Sequence, residues 1–169
     1  MIPGQRWAIR VLRFDLSRNG LDYHPRLAGD FVATLPYAPV YAHRVGGRFV
    51  HRPDELAADP LRSFVGVVVD PWSDARGVYG TMVLADDAVG VRRGLLELER
   101  CGCLGVLGVS IVARIKYRPS DGMGRTIRRV VAVSAIESLD LVTTPSAGGR
   151  VLRSLPADHD ALPFIGGTR

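Results

Sequence analysis

The chain has 169 residues, of which 47% are hydrophobic and 23% are charged. This size and composition predict one folded domain with a hydrophobic core and exclude wholesale disorder. No apolar run reaches the roughly 18 residues that span a bilayer, and the start of the chain lacks the basic-then-apolar order of a signal peptide. We therefore expect a soluble, intracellular protein that has no membrane partner.

The first half of the chain is predicted to consist of short strands separated by turns. Residues 7–14 form an early strand, and residues 48–51 form a short strand after a Gly-Gly turn. Residues 64–70 are rich in valine, which is typical of a buried strand. Residues 31–42 are apolar but contain Pro36 and Pro39, so we expect an irregular or edge strand there.

The second half contains the clearest helix. A turn at residues 73–77 leads into a strand at 78–84, and an apolar stripe at helical spacing predicts a helix over residues 88–100. Residues 106–117 form a strand, residues 119–124 a turn, and residues 125–143 a long strand or strand pair. The remaining segment is rich in Gly, Pro, Asp and Arg, which predicts a loose extension over the surface.

Together these elements predict an α+β fold, a compact antiparallel β-barrel or sandwich with one main helix. Residues 1–147 form the folded domain in this prediction, and residues 148–169 form a loose carboxy-terminal tail. Strands and helices do not alternate as they do in doubly wound proteins.

The formal net charge is +5, and Lys116 is the single lysine among 22 basic residues. The arginines are scattered, and neither a nucleic-acid-binding motif nor an aromatic stacking platform is evident in the predicted strands. The sequence therefore argues against a nucleic-acid partner and leaves an acidic protein partner open. Cys101 and Cys103 are too close together for an ordinary disulfide and too few for a zinc site, so we expect no metal and no other cofactor.

No phosphate loop, dinucleotide fingerprint, His-Glu-x-x-His motif or Gly-x-Ser-x-Gly elbow occurs. The remaining chemically capable residues are dispersed. They are the four histidines His24, His43, His51 and His159, together with Ser110, Glu137 and Asp140. A serine in an apolar strand is usually structural, but a histidine and an acid from other strands can make it a nucleophile.

Strand alternation separates the two candidate acids. On a regular strand, Asp140 shares a face with Ser138, whereas Glu137 shares the opposite face with Leu139. Only one of the two acids can therefore orient a histidine on a given face.

Three blocks of sequence, in this order, resemble the prohead maturation proteases of tailed bacteriophages, which are related to the herpesvirus assemblins. The first is a short strand that ends at His51 and is followed by a proline-acid loop. The second is a helix, a turn of small residues and the strand that carries Ser110. The third is a late strand in which Asp140-Leu141-Val142 runs on to Pro145-Ser146-Ala147.

The resemblance covers about residues 40–150 and implies a herpesvirus-protease-like fold and serine endopeptidase activity. It implies Ser110 as nucleophile, His51 as general base and Asp140 as the acid that orients the base. His43 and Glu137 are the alternatives to His51 and Asp140. An arginine that stabilises the tetrahedral intermediate is also implied, and Arg114 and Arg150 are the candidates.

The implied substrates are the scaffolding protein, the major capsid protein and the protease itself, inside the procapsid that assembles in the bacterial cytoplasm. We expect a homo-oligomer. A first alternative is a catalytically inactive protease-fold protein that serves as a scaffold or assembly factor, because Ile111 and Val112 stand where many members have glycine. A second is a β-module that binds nucleic acid through its arginines.

Overall fold

The computed structural model describes residues 5–45, 48–50, 63–122 and 125–156. Among these residues strands predominate and there are two short helices, which is compatible with the predicted α+β class. The strands are β1 (Arg6–Arg13), β2 (Leu21–Asp22), β3 (Pro39–Tyr41), β4 (His43–Val45), β5 (Arg48–Val50), β6 (Phe64–Asp74), β7 (Gly77–Leu84), β8 (Gly108–Gly122), β9 (Arg125–Val142) and β10 (Arg150–Leu155). The helices are α1 (Ala28–Thr34) and α2 (Val89–Arg100).

Eight of the described strands form one sheet that curls into a half-barrel. Its order is β10-β1-β7-β6-β3-β9-β2, and β8 pairs with β9. The strands β2 and β3 run parallel to β9, and the other neighbours are antiparallel. The hairpin of β4 and β5 forms a separate two-stranded sheet, and β5 lies against β9.

The hydrophobic core lies on the concave side of the curled sheet, because alternate residues of each strand point there. Trp7 and Ile9 of β1 are buried in it, as is Phe31 of α1. The helix α1 is fixed against β9 by a hydrogen bond in which the Val133 amide donates to the Asp30 carboxylate at 3.1 Å.

Several predicted elements are confirmed. The strand at residues 7–14 is β1, the strands at 64–70 and 78–84 are β6 and β7, and the helix at 88–100 is α2. In each of these segments the apolar pattern continues over many residues, so local sequence and burial favour the same structure.

The prediction of an irregular strand over residues 31–42 is wrong for its first part. A 3-10 turn at Pro25–Leu27 leads directly into α1, and its backbone is capped by the His24 ring, which accepts from the Arg26 amide. Phe31 and Leu35 then lie four residues apart, and both are fully buried. The predicted turn at 119–124 is also shorter than expected, because β8 continues to Gly122 in register with β9.

The carboxy-terminal prediction needs a correction as well. Residues 148–169 were expected to be loose, but Arg150–Leu155 forms β10 and pairs with β1. Val151 and Leu155 are buried, so this segment contributes to the core, and the domain continues beyond residue 147. Residues 157–169 lie outside the described part of the chain.

Within the described residues, no helix is both long enough and apolar enough to cross a membrane. The longer of the two, α2, spans 12 residues.

The passage from β9 into β10 depends on Gly149. A Cβ atom at this position would meet the carbonyl oxygens of Val109 and Val11, because the backbone passes tightly between β8 and β1. We therefore predict that Gly149→Ala lowers the free energy of unfolding by about 1–3 kcal/mol. Thermal unfolding followed by circular dichroism measures the change.

The matched control is Gly94→Ala in α2, where an added Cβ has no heavy atom within 4 Å. Alanine is more stable than glycine in a helix interior, so this variant should raise the free energy of unfolding by about 0.5–1 kcal/mol. An unchanged melting temperature for Gly149→Ala would contradict the described path of the chain between the two strands.

Candidate active site

The predicted nucleophile and the predicted acid lie directly opposite each other. Ser110 on β8 is the cross-strand partner of Asp140 on β9. Residues in such antiparallel pairs project to the same face with Cβ atoms about 4.5–5.5 Å apart. Both side chains are buried, with 2% of Ser110 and none of Asp140 exposed.

The end of β9 is covered on both faces. Leu139 and Leu141 point into the hydrophobic core and are fully buried. Ser138 and Asp140 point to the opposite face and are nearly as inaccessible, and the Ser138 hydroxyl lies 3.5 Å from the Asp140 carboxylate. Buried polar side chains of this kind need polar partners, so this second face is a polar site enclosed by protein.

The strand β3 brings a third element to this polar face. It runs parallel to β9 with Tyr41 opposite Asp140. His43 follows two residues later, is 2% exposed, and stacks its ring on the Tyr41 ring with centroids 5.7 Å apart. His43 therefore lies on the same side of the sheet as Tyr41. Tyr41, Asp140 and Ser110 are aligned across the neighbouring strands β3, β9 and β8.

The four histidines have different positions. The preferred base, His51, lies outside the described residues, as does His159. His24 is exposed and caps the 3-10 turn before α1. Of the histidines in the described part of the chain, His43 is the one that the fold brings to the end of β9 that carries Asp140.

The alternative acid, Glu137, lies elsewhere. A β-bulge interrupts the pairing between Val112 and Ala113, so that Glu137 is the extra residue on β9. A bulged residue is unpaired and turns away from the regular alternation. Glu137 is exposed for this reason and accepts from the Arg114 guanidinium at 2.6 Å, which corrects the expectation that it shares a face with Leu139.

The two candidate arginines also differ. Arg114 is held by Glu137 and three quarters of its side chain is exposed. Arg150, at the start of β10, lines an open cavity of about 430 Å³ together with Arg10, Arg13 and Arg18. The wall of this cavity includes Gly108, which lies two residues before Ser110.

The segment that follows β9 and contains Pro145 contacts the Ser110 strand at Gly108. The ring of Pro145 occupies the space that a side chain at position 108 would need. Because residues 108 and 110 point to the same face of β8, the Pro145 ring lies on the face of the strand that carries Ser110. The third sequence block is thus in direct contact with the second.

Two residues of this site were not among the predicted functional residues. Ser138 lies two residues from Asp140 on the same strand, and this spacing already predicts that both side chains lie on the polar face. Tyr41 had no recognisable signal, because its position opposite Asp140 depends on the parallel pairing of β3 with β9.

A scan against protein-family models, a search of curated proteins and a search of solved structures each found no match to this chain. A hydroxyl, an imidazole and a carboxylate on one buried face are the groups that nucleophilic acyl transfer requires. Within the described residues, no group of three or more His, Cys, Asp or Glu side chains is placed to hold a metal ion.

The bulge at Glu137 makes a testable distinction on β9. Glu137→Gln should change the free energy of unfolding by less than about 0.5 kcal/mol, because an exposed ion pair contributes little. Leu139→Ala, two residues further, should cost about 2–5 kcal/mol, since it empties a fully buried core position. Urea unfolding of both variants measures the difference, and similar losses would contradict the bulge.

Proposed function

We propose that the protein is a serine endopeptidase of the prohead maturation type. The observation that carries the proposal is the cross-strand pairing of Ser110 with Asp140 on a buried polar face. A hydrophobic pair at this buried position would cost less free energy to bury, so a chemical role best explains the polar pair.

In this proposal His43 acts as the general base. His43 is the first residue of β4, just after β3, and is held there by burial and by the Tyr41 ring. The strand β3 is next to β9, which carries Asp140. The imidazole takes the Ser110 proton as the hydroxyl oxygen attacks the scissile carbonyl, and it later gives that proton to the leaving amine. Water then hydrolyses the acyl-enzyme by the same route, and Asp140 supports the imidazolium at each step. His51 remains the alternative base.

The tetrahedral intermediate needs a donor for its oxyanion. Arg150 suits this role better than Arg114, because Arg114 is paired with Glu137 and exposed. Arg150 lines the same cavity as Gly108, which lies two residues before Ser110 on β8. Loss of such a donor typically costs about 10²–10³ in rate.

We further propose a herpesvirus-protease-like fold and the substrates that the family resemblance implies. These are the scaffolding protein, the major capsid protein and the protease itself, cleaved inside the procapsid in the bacterial cytoplasm. The curled, mostly β sheet with few helices is compatible with this fold. The chemistry that we propose uses side chains alone.

A second candidate function is a catalytically inactive scaffold or assembly protein. The burial of the site favours it, since a substrate carbonyl must reach a serine that is only 2% exposed. The active protease therefore requires the covering segments to open for the substrate. Ile111 and Val112 after the serine also depart from the family pattern.

The deciding experiment is co-expression of the protein with its scaffolding and capsid proteins, with cleavage followed by mass spectrometry. Ser110→Ala should reduce the cleavage rate by at least about 10³-fold. The matched control is Ser134→Ala on β9, whose hydroxyl is exposed and donates to the Arg114 carbonyl, and it should cleave normally.

The histidines are compared in the same assay. His43→Gln should abolish cleavage, whereas His51→Gln should retain it. The reverse result would make His51 the base. Cleavage that persists in Ser110→Ala would remove that residue as the nucleophile, and no cleavage by the unmodified protein would favour the inactive scaffold.

A further inference from the structure

A row of arginine and aromatic side chains crosses four neighbouring strands on the convex face of the sheet. Arg10 on β1 is the register partner of Arg150 on β10 and of Tyr79 on β7. Tyr79 is in turn the partner of Trp72 on β6. Directly paired residues project to the same face, so all four side chains share one surface. With strands about 4.8 Å apart, the row extends about 14 Å.

The row lies opposite the core. Trp7 and Ile9, which alternate with Arg10 along β1, are buried, whereas Arg10 is partly exposed. Trp72 is 43% exposed, and Arg150 is exposed as well. A ligand can therefore reach the row without any rearrangement of the core.

At the basic end of the row, the arginines that line the cavity outnumber its acidic residues. Arg10, Arg13, Arg18 and Arg150 line the same cavity, with Asp15 as its acidic residue, and Asp15 lies 3.9 Å from Arg13. Arg10 and Arg150 lie directly opposite each other on paired strands. Two like charges in such a pair repel each other and lower the stability of the sheet. Burial, with Arg13 and Arg150 adding to it, lowers the pKa of Arg10. Such an arrangement is stabilised when an anion is bound.

The other end of the row is an aromatic platform. The rings of Trp72 and Tyr79 are stacked with centroids 4.2 Å apart and planes 12° apart. A flat ring can stack on the exposed side of Trp72. The nearby carboxylate of Asp74 accepts from the amides of Arg76 and Gly77 in the hairpin turn through one of its oxygens, Oδ1.

We infer that this row, made of Arg150, Arg10, Tyr79 and Trp72, binds a single-stranded nucleic acid. The guanidinium groups hold its phosphates, and a base stacks on Trp72. Combining cationic side chains with stacking aromatics is how proteins bind single strands with little sequence preference. Arg10, Tyr79 and Trp72 have no role in the proposed peptidase site, whereas Arg150 is its proposed oxyanion donor. Nucleic-acid binding is measured without cleavage, so the inference can hold or fail separately from peptidase activity.

The test uses a fluorescently labelled oligothymidine of about ten nucleotides, with binding followed by anisotropy at low salt. Trp72→Leu should weaken binding about five-fold or more. Arg150→Gln should also weaken it and should reduce the slope of log affinity against log salt by about 0.7. Both side chains are exposed, and circular dichroism checks that each variant folds.

Matched controls come from the β8–β9 hairpin, which also presents an exposed aromatic and an exposed arginine. Tyr117 is 49% exposed, and Arg118 follows it on the same strand. Tyr117→Leu and Arg118→Gln should weaken binding by less than about two-fold. Equal losses in test and control variants would overturn the row as the site, since they would indicate binding by net charge alone.

Two further measurements complete the test. The oligonucleotide should quench the fluorescence of exposed Trp72, whereas Trp7 is fully buried and should not respond. Absence of binding or of quenching would overturn the inference. Polyglutamate should compete poorly, and competition equal to that of the oligonucleotide would overturn it in favour of an acidic peptide.

Discussion

The pairing of β8 with β9 is the constraint on which the rest of the structure depends. It places Ser110 opposite Asp140, and it brings Pro145 against Gly108 on the Ser110 strand. One face of this pair completes the hydrophobic core through Leu139 and Leu141. The other face buries polar groups, which is costly unless they are satisfied by one another.

The register also explains how distant parts of the chain reach one site. β9 is flanked by β8 on one side and by β3, in parallel, on the other. His43 lies on the β3 side of β9, although it is more than sixty positions before Ser110 in the chain. Bulges along β9 absorb its extra residues, so that Glu137 turns outward while Asp140 stays in line with the serine.

Long periodic elements such as β1, β6, β7 and α2 were predictable from the sequence, because burial and local preference agree there. The helix α1 was not predictable, because Pro36 and Pro39 suggest an irregular strand in this segment. The helix instead buries Phe31, and Leu35 is buried one turn later. The preference for Asp140 over Glu137 depended on alternation along β9, but the outward turn of Glu137 depends on a bulge. The stacking of Trp72 on Tyr79 was not predictable from the sequence either. It depends on the register of the β6–β7 hairpin, which pairs these two residues across seven positions.

The central claim is that Ser110 is an activated nucleophile whose base is His43. Labelling with a fluorophosphonate, which reacts with activated serine hydroxyls, tests it without any knowledge of the substrate. Peptide mapping of the labelled protein should locate the adduct on Ser110, and His43→Gln should abolish the labelling while Glu137→Gln leaves it intact. Absence of an adduct on Ser110 in the unmodified protein, or equal labelling in His43→Gln, would contradict the claim.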